Sequence, residues 1–263
     1  MNFKDKVIWI TGASSGIGEG LAHAFARRGA KLIISSRNQE ELERVKNTCT
    51  PGTEVLVLPL DVANFELIPE IAQKAIQHFG RIDLLVNNAG ISQRALIKET
   101  AFEIDKKIME VNYLGTIAIT KAVLPTMMAQ QSGHIVTISS VMGKFGAPWR
   151  SAYAASKHAL QGWFDSLRAE VYKDNIKVTI FCPGYVRTNV TINALKGDGS
   201  KNNKMAGRTD KGLDPAVFAE KAIRAISAEK EEAWIGGWEI AAIYVKQYFP
   251  RIFSFFVKKI TLS

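Results

Sequence analysis

Cysteine is scarce in this sequence, occurring only at Cys49 and Cys182. Two thiols cannot frame a disulfide-built scaffold, and they suit a reducing compartment such as the cytoplasm. No stretch of 18 or more residues is apolar and free of charge throughout, so no transmembrane helix is expected. The polar start, residues 1–6, runs straight into an apolar strand-like segment without the basic-then-apolar pattern of a signal peptide. Histidine is sparse as well: His23, His78, His134 and His158 are scattered without ligand spacing, and no metal is expected.

What the chain does have is an ordinary globular composition. Its 263 residues are 47% hydrophobic and 22% charged, which excludes a disordered chain or a simple coiled coil and is long enough for one sizeable core. The net charge of +9 comes partly from local clusters, Lys196, Lys201, Lys204, Arg208 and Lys211 in one stretch and Lys246, Arg251, Lys258 and Lys259 near the end. No zinc-finger spacing or aromatic-rich RNA-binding signature accompanies either cluster, so nucleic acid is not an expected partner.

Apolar runs of strand length alternate with helix-period segments. Strands are expected at Val7–Ile10, Lys31–Ser35, Val55–Leu58, Leu84–Val86, His134–Ser139, Lys177–Phe181 and Ala233–Ile235. Helices are expected at Gly16–Arg28, Gln39–Asn47, Phe65–Phe79, twice around Ala101–Met128, at Ala152–Tyr172 and at Pro215–Ser227. The strands are continuously apolar, as in a sheet covered on both sides. The pattern predicts an α/β fold, a Rossmann-like doubly wound parallel sheet of some seven strands with helices on both faces. No linker divides residues 1–263, which read as one domain. The long irregular stretch 188–214 reads as a substrate lid.

The segment Thr11-Gly12-Ala13-Ser14-Ser15-Gly16-Ile17-Gly18 follows the first strand and opens the first helix. That is the setting of a dinucleotide turn: Gly12 for the tight turn, Gly16 for close approach to a pyrophosphate, Gly18 for helix–strand packing. The helix N-terminus then offers free N–H groups and a positive dipole end to phosphate. The spacing differs from G-x-G-x-x-G, and no Lys-Ser/Thr pair follows as a P-loop requires. The second strand ends Ser35-Ser36-Arg37-Asn38, without the acid that would hold an NAD ribose. A guanidinium at Arg37 suits a 2′-phosphate, pointing to NADP, unless Arg37 is simply solvated at a helix start.

Tyr153 and Lys157 stand at i and i+4, on one face of a helix, and a nearby ammonium favours a phenolate. Ser140 lies at the end of the fifth strand, where its hydroxyl could hold a substrate oxygen. Taken with Asp61-Val62, Asn87-Asn88-Ala89-Gly90, Asn112 and Pro183-Gly184, in this order, the chain resembles the short-chain dehydrogenase/reductase family from about residue 5 to 240. The runs Gly90-Ile91-Ser92-Gln93 and Asn112-Tyr113-Leu114-Gly115 are most similar to the branch of dehydrogenase/reductase member 7.

The resemblance implies a hydride-transferring oxidoreductase with a catalytic set of Asn112, Ser140, Tyr153 and Lys157. Tyr153 would be the general acid in reduction and the base in oxidation, and Ser140 would polarise the carbonyl. Lys157 would hold the nicotinamide ribose and lower the tyrosine pKa, while Asn112 would hold a water linking Lys157 to solvent. Asp61 and Val62 would contact adenine, and Asn88, Ala89 and Gly90 the adenosine ribose. Pro183, Gly184, Val186 and Thr188 would cover the nicotinamide. Ser139 rivals Ser140, but the family's 13-residue interval to the tyrosine selects Ser140.

On the substrate side, Ile91, Ser92, Gln93, Val141, Met142, Trp149 and Tyr185 are candidate walls, mostly apolar, which suits a lipophilic carbonyl compound or alcohol. Small residues Ala155, Ala159 and Gly162 on the Tyr153 helix suit close helix approach, and the family's habit implies a homodimer or homotetramer. The segment 238–263 joins apolar Ile252, Phe253, Phe255, Phe256, Val257 and Ile260 to Arg251, Lys258 and Lys259. It either docks over the cleft or a partner subunit, or makes a peripheral membrane contact.

Overall fold

Runs of β-branched and aliphatic residues with no polar alternation fold only where both strand faces are covered, and all seven do so in one parallel sheet. The computed structural model describes residues 2–204 and 207–260. Residues 205–206 of the expected lid and 261–263 of the expected tail lie outside the described residues. The strands are β1 (Val7–Thr11), β2 (Lys31–Ser35), β3 (Val55–Val57), β4 (Leu84–Asn87), β5 (Gly133–Ile138), β6 (Ile176–Pro183) and β7 (Glu232–Ile235). Their order is β3-β2-β1-β4-β5-β6-β7, so the chain reverses its direction of winding between β1 and β4. Ligands of open α/β sheets bind beyond the strand ends at such a switch point.

Period-2 side-chain geometry splits each strand between two cores. On β1, Ile8 and Ile10 join Leu21, Phe25 and Phe218 on one face. Val7 and Trp9 join Leu85, Val123 and Phe164 on the other. The first face is covered by α1 (Gly16–Ala26), α2 (Gln39–Thr48) and α8 (Pro215–Ser227); the second by α3 (Ile68–Phe79), α5 (Gly115–Gln130) and α6 (Ser151–Val171). Two buried polar groups sit within this apolar sheet with partners: Trp9 Nε1 donates to Ser35 Oγ at 2.9 Å, and His134 Nε2 lies 2.8 Å from Thr179 Oγ1.

Helix bounds and connections add detail to the sequence expectation. Helix α3 starts at Ile68 rather than Phe65, because Pro69, fixed in φ and without an N–H, fits the first helical turn. The paired helices near 101–128 are α4 (Phe102–Met109) and α5, joined through a π-turn at Glu110–Leu114. That wider turn carries Asn112, and such turns inside helices recur at functional sites. In the tail, α9 (Ala241–Tyr248) stops before Pro250, which starts α10 (Pro250–Val257). A short helix, α7 (Gly207–Asp210), lies in the lid stretch. Among the described residues, no helix is long and apolar enough to cross a membrane.

Candidate active site

The turn after β1 needs left-handed backbone, which only glycine adopts without strain: φ is 64° at Gly12 and 59° at Gly16. Space is equally restrictive. A Cβ on Gly12 would lie 2.8 Å from Ala89 Cα, and one on Gly16 2.9 Å from Thr188 Cγ2. The loop is pinned from behind, where Asn88 Nδ2 donates to Thr11 O at 3.1 Å and Gly12 O at 3.0 Å. The N–H groups of Asn88 and Ala89 both donate to Thr11 Oγ1 at 3.1 Å. The Asn88 amide therefore shapes the phosphate turn. Ser15 begins α1 without a side-chain cap, so the first N–H groups of α1 have neither a carbonyl nor a hydroxyl of their own helix. With the positive end of the helix dipole, they form an anion site.

One cleft of about 1590 Å³ runs from this turn across the ends of the strands. A single drug-sized ligand fills roughly 300–1,000 Å³, so the cleft has room for a dinucleotide and a second molecule. Its wall includes Gly12, Ser14, Ser15, Gly16 and Ile17, then Arg37, Asp61 and Val62, then Asn88, Ala89 and Gly90. Ser140, Tyr153, Lys157, Pro183, Gly184, Val186 and Thr188 complete it. Gly18 and Asn112 stand behind the wall. A Cβ on Gly18 would collide with the Gly12 carbonyl, so its place is in packing.

At the far end of β2, Ser36 Oγ accepts from Asn38 N at 3.2 Å, and Asn38 caps α2 by accepting from Glu41 N at 3.1 Å. Between them Arg37 projects at the rim and, among the described residues, forms no ion pair. The neighbouring Arg44 is committed, at 2.7 Å from Glu19 and 3.2 Å from the Ser14 carbonyl. Asp61 accepts from Ala63 N at 3.0 Å, which turns the chain after β3.

The catalytic candidates converge at the end of β5. Ser140 Oγ accepts from Met142 N at 3.1 Å, which leaves its proton to donate outward. Ser139 is committed elsewhere, donating to Lys157 O at 3.2 Å and accepting from Gln161 Nε2 at 2.9 Å. Lys157 Nζ donates to Ile138 O at 2.8 Å and lies 5.8 Å from the Tyr153 ring centre. Asn112 clamps the strand-end loop: its Oδ1 accepts from Ile91 N at 2.8 Å, and its Nδ2 donates to Ile91 O at 2.9 Å and Ser156 Oγ at 3.0 Å.

The electrostatics depart from the simple expectation that Lys157 lowers the tyrosine. Burial pushes the Tyr153 phenol up, and the hydrogen bond with Ser140 and the charge of Arg150 oppose it. Burial also pulls Lys157 down to about 8. At about 8 the Lys157 ammonium is still mostly charged at neutral pH, but burial is the dominant effect on the phenol, which keeps its proton.

The substrate end is more mixed. Ile91, Ser92, Val141, Met142, Trp149 and Tyr185 line the cleft. Gln93, expected beside them, is instead a bracket: Oε1 accepts from Ala152 N at 2.9 Å and Nε2 donates to Thr100 Oγ1 at 2.9 Å. The tail lies over this end. Ile243 and Phe253 pack on Val141 and Phe145, with the Phe145 and Phe253 rings 5.2 Å apart. Tyr244, Tyr248, Phe249, Ile252 and Phe255 face outward and are exposed.

Sequence reasoning missed two residues. Glu239 is buried at the start of the tail, where Oε1 accepts from Tyr185 N at 2.8 Å and Gly237 N at 2.9 Å, holding the Gly184–Tyr185 turn. Arg150 reaches Ser92 Oγ from the residue before α6. A lone Glu or Arg in a loop carries no motif, so neither announced itself. Among the described residues, no group of three or more His, Cys, Asp or Glu gathers to hold a metal.

A family model described as short chain dehydrogenase matches residues 6–198. The chain is 44% identical over 260 residues to the Drosophila melanogaster dehydrogenase/reductase SDR family protein 7-like, covering 97% of this chain and 80% of that one. A short chain dehydrogenase/reductase from Burkholderia phymatum, solved in complex with NAD, superposes at a TM-score of 0.86 with 25% identity, over 96% of each chain. An alcohol dehydrogenase from the archaeon Thermococcus sibiricus, complexed with 5-hydroxy-NADP, superposes at 0.77 with 29% identity, over 89% of this chain and 97% of that one.

Proposed function

This chain belongs to the short-chain dehydrogenase/reductase family, and from that premise we propose that it is an NADP(H)-dependent oxidoreductase interconverting a lipophilic carbonyl compound and its secondary alcohol. The observation that carries this reading is the single cleft joining the phosphate turn to Ser140 and Tyr153. The glycine turn and α1 N-terminus fit a pyrophosphate, and the Arg37 guanidinium fits a 2′-phosphate where an NAD site would place an acid. Asp61 and Val62 stand where an adenine would lie. Lys157, with Gly90 beside its ammonium, faces the position of the nicotinamide ribose. Bound nicotinamide supplies or accepts the hydride; the protein supplies alignment and the proton.

In reduction, Tyr153 donates its proton to the carbonyl oxygen. Its burial-raised pKa keeps that proton available through neutral pH. Ser140 donates to the same oxygen and stabilises the negative charge that develops there. Asn112 fixes the Ile91 backbone and the Ser156 end of α6, and stands beside Lys157 as the next member of a proton path. The described residues of 188–214 form the lid, which turns Thr188, Asn189, Thr191, Asn193 and Lys201 to the cleft beside Val190 and Leu195, and the tail forms a mostly apolar roof over the carbonyl end. The outer face of α6, where Ala155 and Gly162 are exposed, pairs subunits into a homodimer or homotetramer. The exposed aromatic face of α9 and α10, flanked by Lys246, Arg251 and Lys258, makes a peripheral contact with anionic membrane from the cytoplasm.

The test is NADPH oxidation by the full chain over a panel of ketones, aldehydes, steroids and retinoids, with the alcohol identified by mass spectrometry. Stoichiometric alcohol formation is the expected result. NADPH binding without turnover of any panel member would make the protein a cofactor-binding regulator instead.

A further inference from the structure

The turn that follows β6 is held by more than the sheet. Strand β6 closes with Pro183, which has no N–H to donate, and Gly184 N makes the last pairing with β7, donating to Ile235 O at 3.0 Å. The next donor, Tyr185 N, lies beyond the sheet in a residue of the cleft wall, where an unpaired N–H is costly. A side chain 54 residues further on meets it. Glu239 Oε1 accepts from Tyr185 N at 2.8 Å and from Gly237 N at 2.9 Å. Glu239 itself sits in the short helical turn Trp238–Ile240 that leads into α9.

The neighbouring backbone leaves room for this carboxyl group. A Cβ on Gly184 would fall on Glu239 Oε1, and one on Gly236 would lie 2.6 Å from the same atom. Burying a carboxyl group costs free energy that an apolar side chain would not, so packing alone does not account for a glutamate here. The lid holds the same turn from the other side. Tyr185 O accepts from Leu213 N at 2.9 Å, and Leu213 O accepts from Arg187 N at 2.8 Å. The segment 184–187 is thus clamped between the lid and the root of the tail, and Gly184 and Val186 line the cleft where the nicotinamide is assigned. The lid's clamp runs from backbone to backbone and is indifferent to residue type. The tail's clamp is one side chain, so one substitution removes it.

Resting on the cofactor reading above, we infer that Glu239 is a positioning residue for the nicotinamide. It fixes the Gly184–Tyr185 peptide against which the ring lies, and so sets the distance and tilt of the ring toward the carbonyl. Hydride transfer depends on that alignment, since a misplacement on the order of 1 Å costs about 10²-fold. The adenosine and phosphates, assigned to α1 and Arg37, are held without Glu239.

Calorimetric titration of the full chain with two ligands tests this. One is NADPH; the other is 2′-phospho-ADP-ribose, which keeps the adenosine, the 2′-phosphate and the pyrophosphate but lacks the nicotinamide. NADH and ADP-ribose form a parallel pair. Glu239→Ala should weaken NADPH about tenfold while the fragment stays within about twofold. Glu239→Gln, whose amide oxygen can accept the same two N–H bonds, should bring NADPH back to within about threefold of wild type, and Glu239→Asp, one methylene short, should fall between. Equal losses on the dinucleotide and its fragment would overturn the inference and make Glu239 a strut of the whole fold. Unchanged binding of both, or a Glu239→Gln loss as large as that of Glu239→Ala, would overturn it too. Binding of none of the four ligands to the wild-type protein would instead defeat the dinucleotide reading, and this inference with it. Hydrogen exchange on the wild-type protein reads the same contact without a variant. NADPH, but not its fragment, should slow exchange in segments 184–187 and 237–240 together. Equal protection by both ligands, or none at 184–187, contradicts the assignment even if no variant folds.

Discussion

The two ends of the cleft are built by different means. The cofactor end is backbone: left-handed glycines, the start of α1, and carbonyls of Thr11 and Gly12 held by Asn88. The carbonyl end is side chains gathered from distant segments: Ser92 and Arg94 after β4, Ser140 after β5, Arg150 and Tyr153 at α6, and Phe253 from α10. Backbone geometry tolerates few residue types, so the first end is fixed in sequence and chemistry. Side-chain surfaces tolerate many, so the second end can be retuned without disturbing the first. The account therefore expects changes at one end to leave the other intact.

The largest separation should come from Ser140→Ala. Losing a donor to the developing oxyanion costs about 10²–10³-fold in kcat. NADPH affinity, measured by fluorescence titration, should stay within about twofold. A comparable loss of cofactor binding would mean the two ends are one mechanical unit.

His134 is buried at the start of β5, away from the cleft, and its protonation should destabilise the sheet that carries both ends. Burial pulls its pKa from 6.5 to about 4. The unfolded chain therefore binds the extra proton first. The stability this group contributes is complete above pH 6.5 and is lost as pH falls through about 4, a change on the order of 3 kcal/mol. Denaturant titrations at pH 7.5, 5.5 and 4 should show this decline, with cofactor binding and turnover lost together. His134→Gln should flatten the pH dependence, and an unchanged slope would remove His134 from the account.

Arg37→Ala breaks only the cofactor end. A charged hydrogen-bonding contact is worth about 1.5–3 kcal/mol, or roughly 10–150-fold in NADPH affinity, with NADH almost unaffected. Equal losses for both cofactors would detach Arg37 from the 2′-phosphate.

The smallest effect is expected at the outer surface of the roof. Replacing Phe255 and Ile252 by serine should reduce sedimentation with anionic vesicles several-fold at low salt, with NADPH affinity unchanged, because these side chains are exposed. Vesicle binding that is absent in the wild type would leave the tail as a roof alone.

The same contrast explains what the sequence made legible. The strands and the phosphate turn were readable because local rules dictate them: continuous apolar runs for a covered sheet and glycine where φ is positive. The docking of the tail on Phe145 could be stated only as one of two fates, since apolar residues at helical spacing do not name their partner. Gln93 looked like a wall residue and is a bracket, because its partners Thr100 and Ala152 are distant in sequence. Arg150 and Glu239 were invisible for the same reason. Spacing shows that Lys157 is near Tyr153, but not that it is buried and turned to Ile138.

The central claim, that cofactor binding and proton donation are separable functions of the two ends, is tested most directly by Tyr153→Phe. Calorimetric titration with NADPH and steady-state turnover are measured on the same preparation. The account predicts a dissociation constant within about twofold of wild type together with a fall in turnover of about 10²–10⁴-fold. Near-normal turnover, or a cofactor affinity lost along with it, would contradict it.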